Sequence, residues 1–356
     1  MLPELGSFKN IAVVQTAFLG DVALVLPFAQ LLKNSIPEAN ISLITTPAAA
    51  MMARCATALQ NVIAYDKRGK HSGFSGIRTF AHELERYGFD CVIAPHKSFR
   101  TSLLVRLLKP RFSVGFKNAA GSFLYSQKVG YPSHLHEIDR NFTLLKGFKN
   151  GEEFLKKGAP EVNVKIAPED ESAIAELLQK KGLYGAEIII ALAPGSVWET
   201  KRWRVEHFKS LSEELLKKRL QVILVGSKED AEMCQEIAGA TAAVNLCGET
   251  TLPQTLALLR RISAIVSNDS APTHLAGLVQ CPVITIFGPT SPIFGFAPRG
   301  KNDRVVQNEE LRCRPCEIHG GKRCPIGTHD CMKSVMPQTV VKMVEDVLRK
   351  SVRVLP

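Results

Sequence analysis

The strongest constraint on this chain is a rhythm that runs twice. Short, continuously apolar runs alternate with stretches of helical periodicity. In the first half the runs are Asn10-Ile-Ala-Val-Val14, Ile41-Ser-Leu-Ile44, Val62-Ile63 and Cys91-Val-Ile-Ala94, with a periodic segment from Val22 to Leu32. Runs that are apolar at successive positions, rather than at every second one, suit parallel strands covered by helices on both faces. The rhythm breaks over residues 150 to 185, where Asn150-Gly151, Gly158-Ala-Pro160 and Ala167-Pro168 precede an amphipathic stretch from Glu169 to Lys181. It then resumes with Ile188 to Leu192, a helical Val205 to Lys218, Val222 to Val225, a helical Lys228 to Ala238, Ala264 to Val266, a helical Ala271 to Leu278, and Val283 to Phe287. The prediction is an α/β protein of two Rossmann-like doubly wound domains, residues 1–165 and 166–356. A chain of 356 residues is also longer than one compact core usually grows.

Charge separates the halves. Residues 1–165 carry 21 Lys and Arg against 12 Asp and Glu, and the remainder 24 against 22, so nearly all of the +11 net charge lies in the first half. Between Cys91 and His136 there is no acidic residue, while Lys97, Arg100, Arg106, Lys109, Arg111, Lys117 and Lys128 are present. Such a field suits an anionic partner. Nucleic acid is disfavoured, because aromatic residues are sparse there and no standard binding motif occurs. Ile11 to Leu32 is the only membrane-like stretch. Gln15, Gly20, Asp21 and Gln30 interrupt it, so it reads as strand, turn and helix, and a cytoplasmic protein is expected.

Two turns follow apolar runs and carry the residue types that bind anions. Pro194-Gly-Ser-Val-Trp-Glu-Thr-Lys-Arg-Trp203 supplies the backbone of Gly195 and Ser196 and the cations Lys201 and Arg202; Asn268-Asp-Ser-Ala-Pro-Thr-His274 opens a helix whose unsatisfied N–H groups attract phosphate, with Asp269 as its expected N-cap and Ser270, Thr273 and His274 around it. Together they predict a diphosphate site. Gly226, ending a strand, suits close approach of a nucleoside, and Glu229 can reach ribose hydroxyls; Gly226-Ser-Lys-Glu-Asp230 is equally an ordinary helix start capped by Ser227. Near the amino terminus Asp21 follows Gly20 directly after the first strand, as a proton acceptor or a helix cap.

Leu19-Gly20-Asp21, Lys201-Arg202-Trp203, Gly226-Ser-Lys-Glu-Asp230 and Asn268-Asp269-Ser270, in this order over nearly the whole chain, resemble the ADP-heptose:lipopolysaccharide heptosyltransferases of glycosyltransferase family 9, above all the heptosyltransferase II group. The resemblance implies the GT-B architecture, with an acceptor-binding first domain facing a nucleotide-sugar-binding second domain across a cleft. It implies inverting transfer of L-glycero-D-manno-heptose from ADP-heptose to Kdo2-lipid A or its heptosylated form. Asp21 would be the general base and Lys201 would stabilise the departing diphosphate, while Lys97, Ser98 and Arg100 would meet the acceptor. A monomer, peripheral to the inner face of the cytoplasmic membrane, is expected.

Such chemistry requires no cofactor; Mg2+ beside Asp269 is permitted but not needed, since a helix dipole and two cations can neutralise the same charge. Arg204 stands where the family commonly has proline, adding a cation near the expected phosphate site. Cys55, Cys91, Cys234, Cys247 and Cys281 read as single, reduced, buried thiols. Cys313, Cys316, Cys324 and Cys331 share one loop-like stretch with His319 and His329, at a spacing compatible with a metal or disulfides; a metal-free structural loop is expected, with zinc as the lesser alternative. The rival readings are another nucleotide-sugar enzyme such as an epimerase, and a non-catalytic nucleotide-sugar-binding protein. A dinucleotide-dependent dehydrogenase is disfavoured, because Gln15-Thr-Ala-Phe-Leu-Gly20 replaces the Gly-x-Gly-x-x-Gly turn.

Overall fold

A computed structural model describes residues 1–352, with side chains described to residue 350. The chain forms two compact units, Met1–Lys165 and a second beginning at Ile166. The first holds a six-stranded sheet of β1 (Asn10–Val14), β2 (Asn40–Thr45), β3 (Asn61–Ala64), β4 (Cys91–Ala94), β5 (Phe112–Phe116) and β6 (Gln127–Val129), in the order β3-β2-β1-β4-β5-β6. The second holds β7 (Ile189–Ala193), β8 (Gln221–Leu224), β9 (Val244–Asn245), β10 (Ala264–Asn268), β11 (Val283–Ile286) and β12 (Arg304–Val306), in the order β12-β11-β10-β7-β8-β9. Every pairing in both sheets is parallel. Counted from the first strand of each unit, the two orders are the same doubly wound one. It reverses between β1 and β4 in the first sheet and between β7 and β10 in the second. Ligands of open α/β sheets bind at such a reversal, beyond the carboxyl ends of the strands.

The membrane-like stretch of the sequence is explained by burial within the protein. It forms β1, a turn, and the helix Leu19–Ser35, in which every residue from Val22 to Leu32 is buried. A helix covered on nearly all sides needs apolar residues all round. Among the described residues no helix is long and apolar enough to cross a membrane.

Of the four strands missing from the sequence reading, β5 is internal and the other three are sheet edges. β6 and β12 are three residues long with Lys128 and Arg304 among them, and β9 has two residues. Edge strands need little apolar surface and are protected by charge and brevity. A further correction concerns the cysteines. Cys234, in the helix Ala231–Ala240, and Cys247, just beyond β9, are joined in a disulfide with their Cα atoms 6.5 Å apart. Their apolar surroundings suggested isolated thiols. What brings them together is the return of the chain from that helix to β9, which apolar patterning does not reveal.

Candidate functional site

The second unit places both anion-type turns at its topological reversal. Residues 194–203 leave β7, and residues 269–274 leave β10, the strand paired beside it. Asn268, the last residue of β10, fastens one turn to the other. Its Nδ2 donates to the Pro194 carbonyl at 2.8 Å, and its Oδ1 accepts from the Trp203 backbone N–H at 3.0 Å. Trp203 is itself an anchor. It is buried at 1% exposure, its indole Nε1 donates to the Val335 carbonyl at 2.9 Å, and its ring meets Phe208 edge-on.

Lys201 is thereby held against Asp269. The ammonium lies 2.7 Å from Asp269 Oδ2 and 3.2 Å from the Asp269 carbonyl oxygen. Both side chains are largely withdrawn from water, at 12% and 6% exposure. Thr290, beyond β11, donates its hydroxyl to the same Oδ2 at 2.7 Å. The expected cap therefore moves by one residue. Ser270, not Asp269, is the N-cap of the helix Ala271–Leu278, and Asp269 is committed to Lys201 and Thr290.

Thr273 turns inward, donating to the Asn268 carbonyl at 3.2 Å and lying 3.1 Å from Thr285 Oγ1, so its role is to hold the turn. Ser270 Oγ lies within 3.4 Å of the Gly195 carbonyl, a further tie between the turns. The His274 imidazole is held neutral at physiological pH: burial lowers its pKa to about 4, Lys201 adds to the effect and Asp269 opposes it.

Glycine is required at the strand ends. A Cβ on Gly195 would sit 2.3 Å from the Asp230 carboxylate, and one on Gly226 would meet Asp230 at 3.0 Å and the Cys247 sulfur at 3.1 Å. Asp230 closes the turn after β8 by accepting from the Ser227 N–H at 2.9 Å and hydroxyl at 2.8 Å. Glu229 is exposed, and its carboxyl is held below its ordinary pKa, chiefly by the Ser227 side chain. Two neighbouring cations have partners of their own. Arg202 donates to the Ser196 carbonyl at 2.9 Å and pairs with Glu199 at 2.8 Å, while Arg204 pairs with Glu206 at 3.3 Å on the surface.

In the first unit, Gly20 and Asp21 lie in the first turn of the helix Leu19–Ser35. Asp21 Oδ2 accepts the Phe18 N–H at 3.2 Å, so the capping role is fulfilled. The same carboxyl has its pKa raised to about 6, first by burial and then by Glu137, against the pull of Lys97 and of backbone N–H groups. Across the reversal, beyond β4, Ser98 caps the helix Phe99–Leu108 by accepting from the Thr101 N–H at 3.2 Å. Lys97 stands over the Tyr131 ring, its ammonium 3.6 Å from the centroid. Arg100 donates to the Tyr65 hydroxyl at 2.7 Å and to the His71 and Gly73 carbonyls.

The basic run is also dispersed. Lys97 and Lys117 follow the carboxyl ends of β4 and β5, whereas Lys109 and Arg111 precede β5 at the opposite end of the sheet. Arg111 covers the Phe8 ring there.

Sequence reasoning missed His96 and Lys67. His96 Nδ1 lies 3.0 Å from Thr16 Oγ1 and 2.7 Å from Thr101 Oγ1, and Lys67 donates to the Thr16 carbonyl at 2.6 Å. Burial, then Lys67 and Lys97, lower the His96 pKa to about 4. The available signal was that both residues lie in the turns just beyond the carboxyl ends of β3 and β4. Among the described residues no group of three or more His, Cys, Asp and Glu side chains is arranged to hold a metal ion.

Two doubly wound units, each with a parallel six-stranded sheet of the same order, make the fold that of the GT-B glycosyltransferases. Residues 77–323 match the model of glycosyltransferase family 9 (heptosyltransferase), and the chain belongs to that family. It is 24% identical over 361 residues to lipooligosaccharide heptosyltransferase 2 of Haemophilus influenzae, covering 96% of this chain and 100% of the relative. It is 31% identical over 167 residues to lipopolysaccharide heptosyltransferase 2 of Salmonella typhimurium, covering 45% and 47%. Among solved structures, the family 9 glycosyl transferase of Veillonella parvula superimposes with a TM-score of 0.87 at 21% identity, over 98% of this chain and 99% of that one. ADP-heptose LPS heptosyltransferase II of Escherichia coli does so with a TM-score of 0.79 at 21% identity, over 96% and 99%. These structural likenesses show the fold.

Proposed function

We propose that this glycosyltransferase moves L-glycero-D-manno-heptose from ADP-heptose to the inner core of lipopolysaccharide, with inversion at the anomeric carbon. The observation that carries the reading is the Lys201–Asp269 pair at the reversal of the second sheet. Breaking the sugar–phosphate bond leaves negative charge on a diphosphate, and a preorganised ammonium beside helix N–H groups stabilises that charge as it develops. Asp269 and Thr290 hold Lys201 in place, so no side-chain ordering is needed at the moment of reaction. Since Asp269 already has those partners, the proposed chemistry asks for no Mg2+. Gly195, Ser196 and Ser270 offer backbone to the phosphates, Gly226 and Glu229 line the nucleoside side, and neutral His274 can donate a hydrogen bond without adding charge.

Inversion needs one base, on the acceptor hydroxyl. Asp21 is that base in this reading. Its pKa of about 6 leaves it ionised near neutral pH yet more basic than an ordinary carboxylate. Lys97 and Ser98, beyond β4, form the acceptor side with the neighbouring His96. The printed names of the relatives, heptosyltransferases 2 of lipooligosaccharide and lipopolysaccharide, support the donor and the acceptor class. A Kdo-bearing lipid is anionic, matching the charge of the first half. An amphiphilic acceptor of that kind would place the enzyme at the cytoplasmic face of the inner membrane.

The test is incubation of the purified protein with ADP-heptose and truncated core lipids, reading product mass and ADP release. The expected result is one added heptose on a Kdo-containing lipid. ADP release without a heptosylated lipid, across the whole acceptor panel, would refute the assignment.

A further inference from the structure

Beyond β6 the chain returns through the helix Glu137–Thr143, and an ion pair is buried in its first turn. Arg140 Nη1 and Glu137 Oε2 lie 3.0 Å apart, and both side chains are nearly withdrawn from water. Such a pair contributes little net stability, so its other partners are informative. Tyr131 Oη donates to Glu137 Oε2 at 3.1 Å and accepts from Arg140 Nη1 at 3.1 Å. The same guanidinium donates to the Pro132 carbonyl at 3.2 Å and to the Ser133 carbonyl. The Tyr131 ring also packs at right angles to the buried Phe116, with centroids 5.0 Å apart. The phenol is therefore fixed both at its hydroxyl and along its ring.

The face of that ring carries Lys97, whose ammonium lies 3.6 Å from the centroid. Among the described residues this half-buried ammonium makes no hydrogen bond and no ion pair. Glu137 is already committed to Arg140 and Tyr131. A carboxylate partner would neutralise the cation, whereas an aromatic face holds it and leaves its charge available. A partly desolvated cation without a counter-ion suits a site that an anionic ligand completes.

The helix also sets this array beside Asp21. Asn141 Nδ2 donates to the Leu24 carbonyl at 3.4 Å, and the Phe142 and Phe28 rings lie 6.0 Å apart, so the helix packs on Leu19–Ser35, in whose first turn Asp21 stands. The two charges feel one another. Burial lowers the Lys97 pKa while Glu137 and Asp21 oppose the fall, and burial raises the Asp21 pKa while Lys97 pulls against it.

We propose that Tyr131, locked by the Glu137–Arg140 pair, is a positioning residue that holds the Lys97 ammonium ready for an anionic group of the acceptor, a carboxylate or a phosphate. This role rests on the proposed place of Lys97 on the acceptor side. An anion docked there fixes the acceptor and leaves the nucleotide sugar untouched, so Tyr131 acts on acceptor affinity and not on the chemical step.

Kdo2-lipid A in a neutral detergent is titrated into the full-length protein without nucleotide sugar, so that binding is read apart from transfer. Tyr131→Phe keeps the ring and serves as reference; trifluorophenylalanine in place of Tyr131 keeps the ring's shape but drains its negative face. From the one to the other the dissociation constant should rise about 3–30-fold, with ADP affinity unchanged. Lys97→Met should raise it at least as far, and fluorination in that background should add nothing, as expected if Tyr131 acts only through Lys97. In transfer assays the acceptor KM should rise with fluorination while kcat stays constant. Lipid A lacking Kdo tells which group docks: an equal ring dependence there assigns a phosphate, and its loss a Kdo carboxylate. Equal affinity of the phenylalanine and fluorinated proteins, or a fluorination effect that persists without Lys97, would overturn the role of Tyr131 and leave the proposed function standing. Wild-type protein with no affinity for Kdo2-lipid A would overturn both.

Discussion

A lysine and an aspartate buried together contribute little net stability but are costly to separate. Lys201→Ala leaves Asp269 buried and unpaired, so it should destabilise the second unit by about 3–5 kcal/mol as well as slowing transfer. Asp269→Asn separates the two effects. It keeps a side chain within reach of Thr290 and leaves a single cation, so denaturant unfolding should show a smaller loss, while kcat changes with the altered placement of Lys201.

Asp21 gives a signed pH prediction. As a base it works only when ionised, so kcat/KM should fall about tenfold per pH unit below about pH 6. Its pKa is raised in the folded chain, so the folded state holds the proton more tightly than the unfolded one. That stabilising contribution is fully present below the unfolded value and is lost as pH rises through about 6. Asp21→Asn should therefore remove part of the decline in Tm across that window. A Tm profile identical to that of the wild type would show that the carboxyl is not perturbed.

The turns that present these residues depend on strand ends meeting without side chains between them. Gly195→Ala would drive a methyl into the Asp230 carboxylate, and should cost about 1–3 kcal/mol by chemical denaturation. Asn268→Ala should cost a similar amount, about 1–3 kcal/mol, by leaving the buried Pro194 carbonyl and Trp203 N–H without their partner. If Asn268→Ala left stability and ADP affinity unchanged, the two turns would not be coupled through it.

At this scale the sequence was readable where burial dictates composition. The central strands β1, β4, β7, β10 and β11 are apolar because helices cover both faces, and the turns leaving β1, β7 and β10 stood out by position. Edges such as β6 and β12 carry no such pattern. The destinations of side chains were also hidden: Asp269 reads as a cap until Lys201 and Thr290 arrive from distant parts of the chain, and nothing in the sequence pairs Arg100 with Tyr65 and His71.

For the molecule as a whole, the proposed function has the two units of like strand order divide the labour of a two-substrate transfer. The more basic first half predicts that binding of an anionic acceptor lipid weakens steeply with salt, because screening lengths shorten from about 10 Å at 0.1 M to about 3 Å at 1 M. ADP binding, which the proposed function assigns to a largely buried lysine and backbone N–H groups, should weaken much less. Acceptor KM and ADP dissociation constant measured over the same salt series would check this, and equal salt dependence of the two would contradict it.

The most direct measurement of the central claim is single-turnover heptose transfer by wild-type protein and Asp21→Asn, with ADP affinity measured on both. The account predicts a fall in transfer of about 10²–10⁴-fold with ADP affinity unchanged. A folded Asp21→Asn enzyme that transfers heptose at the wild-type rate would contradict it.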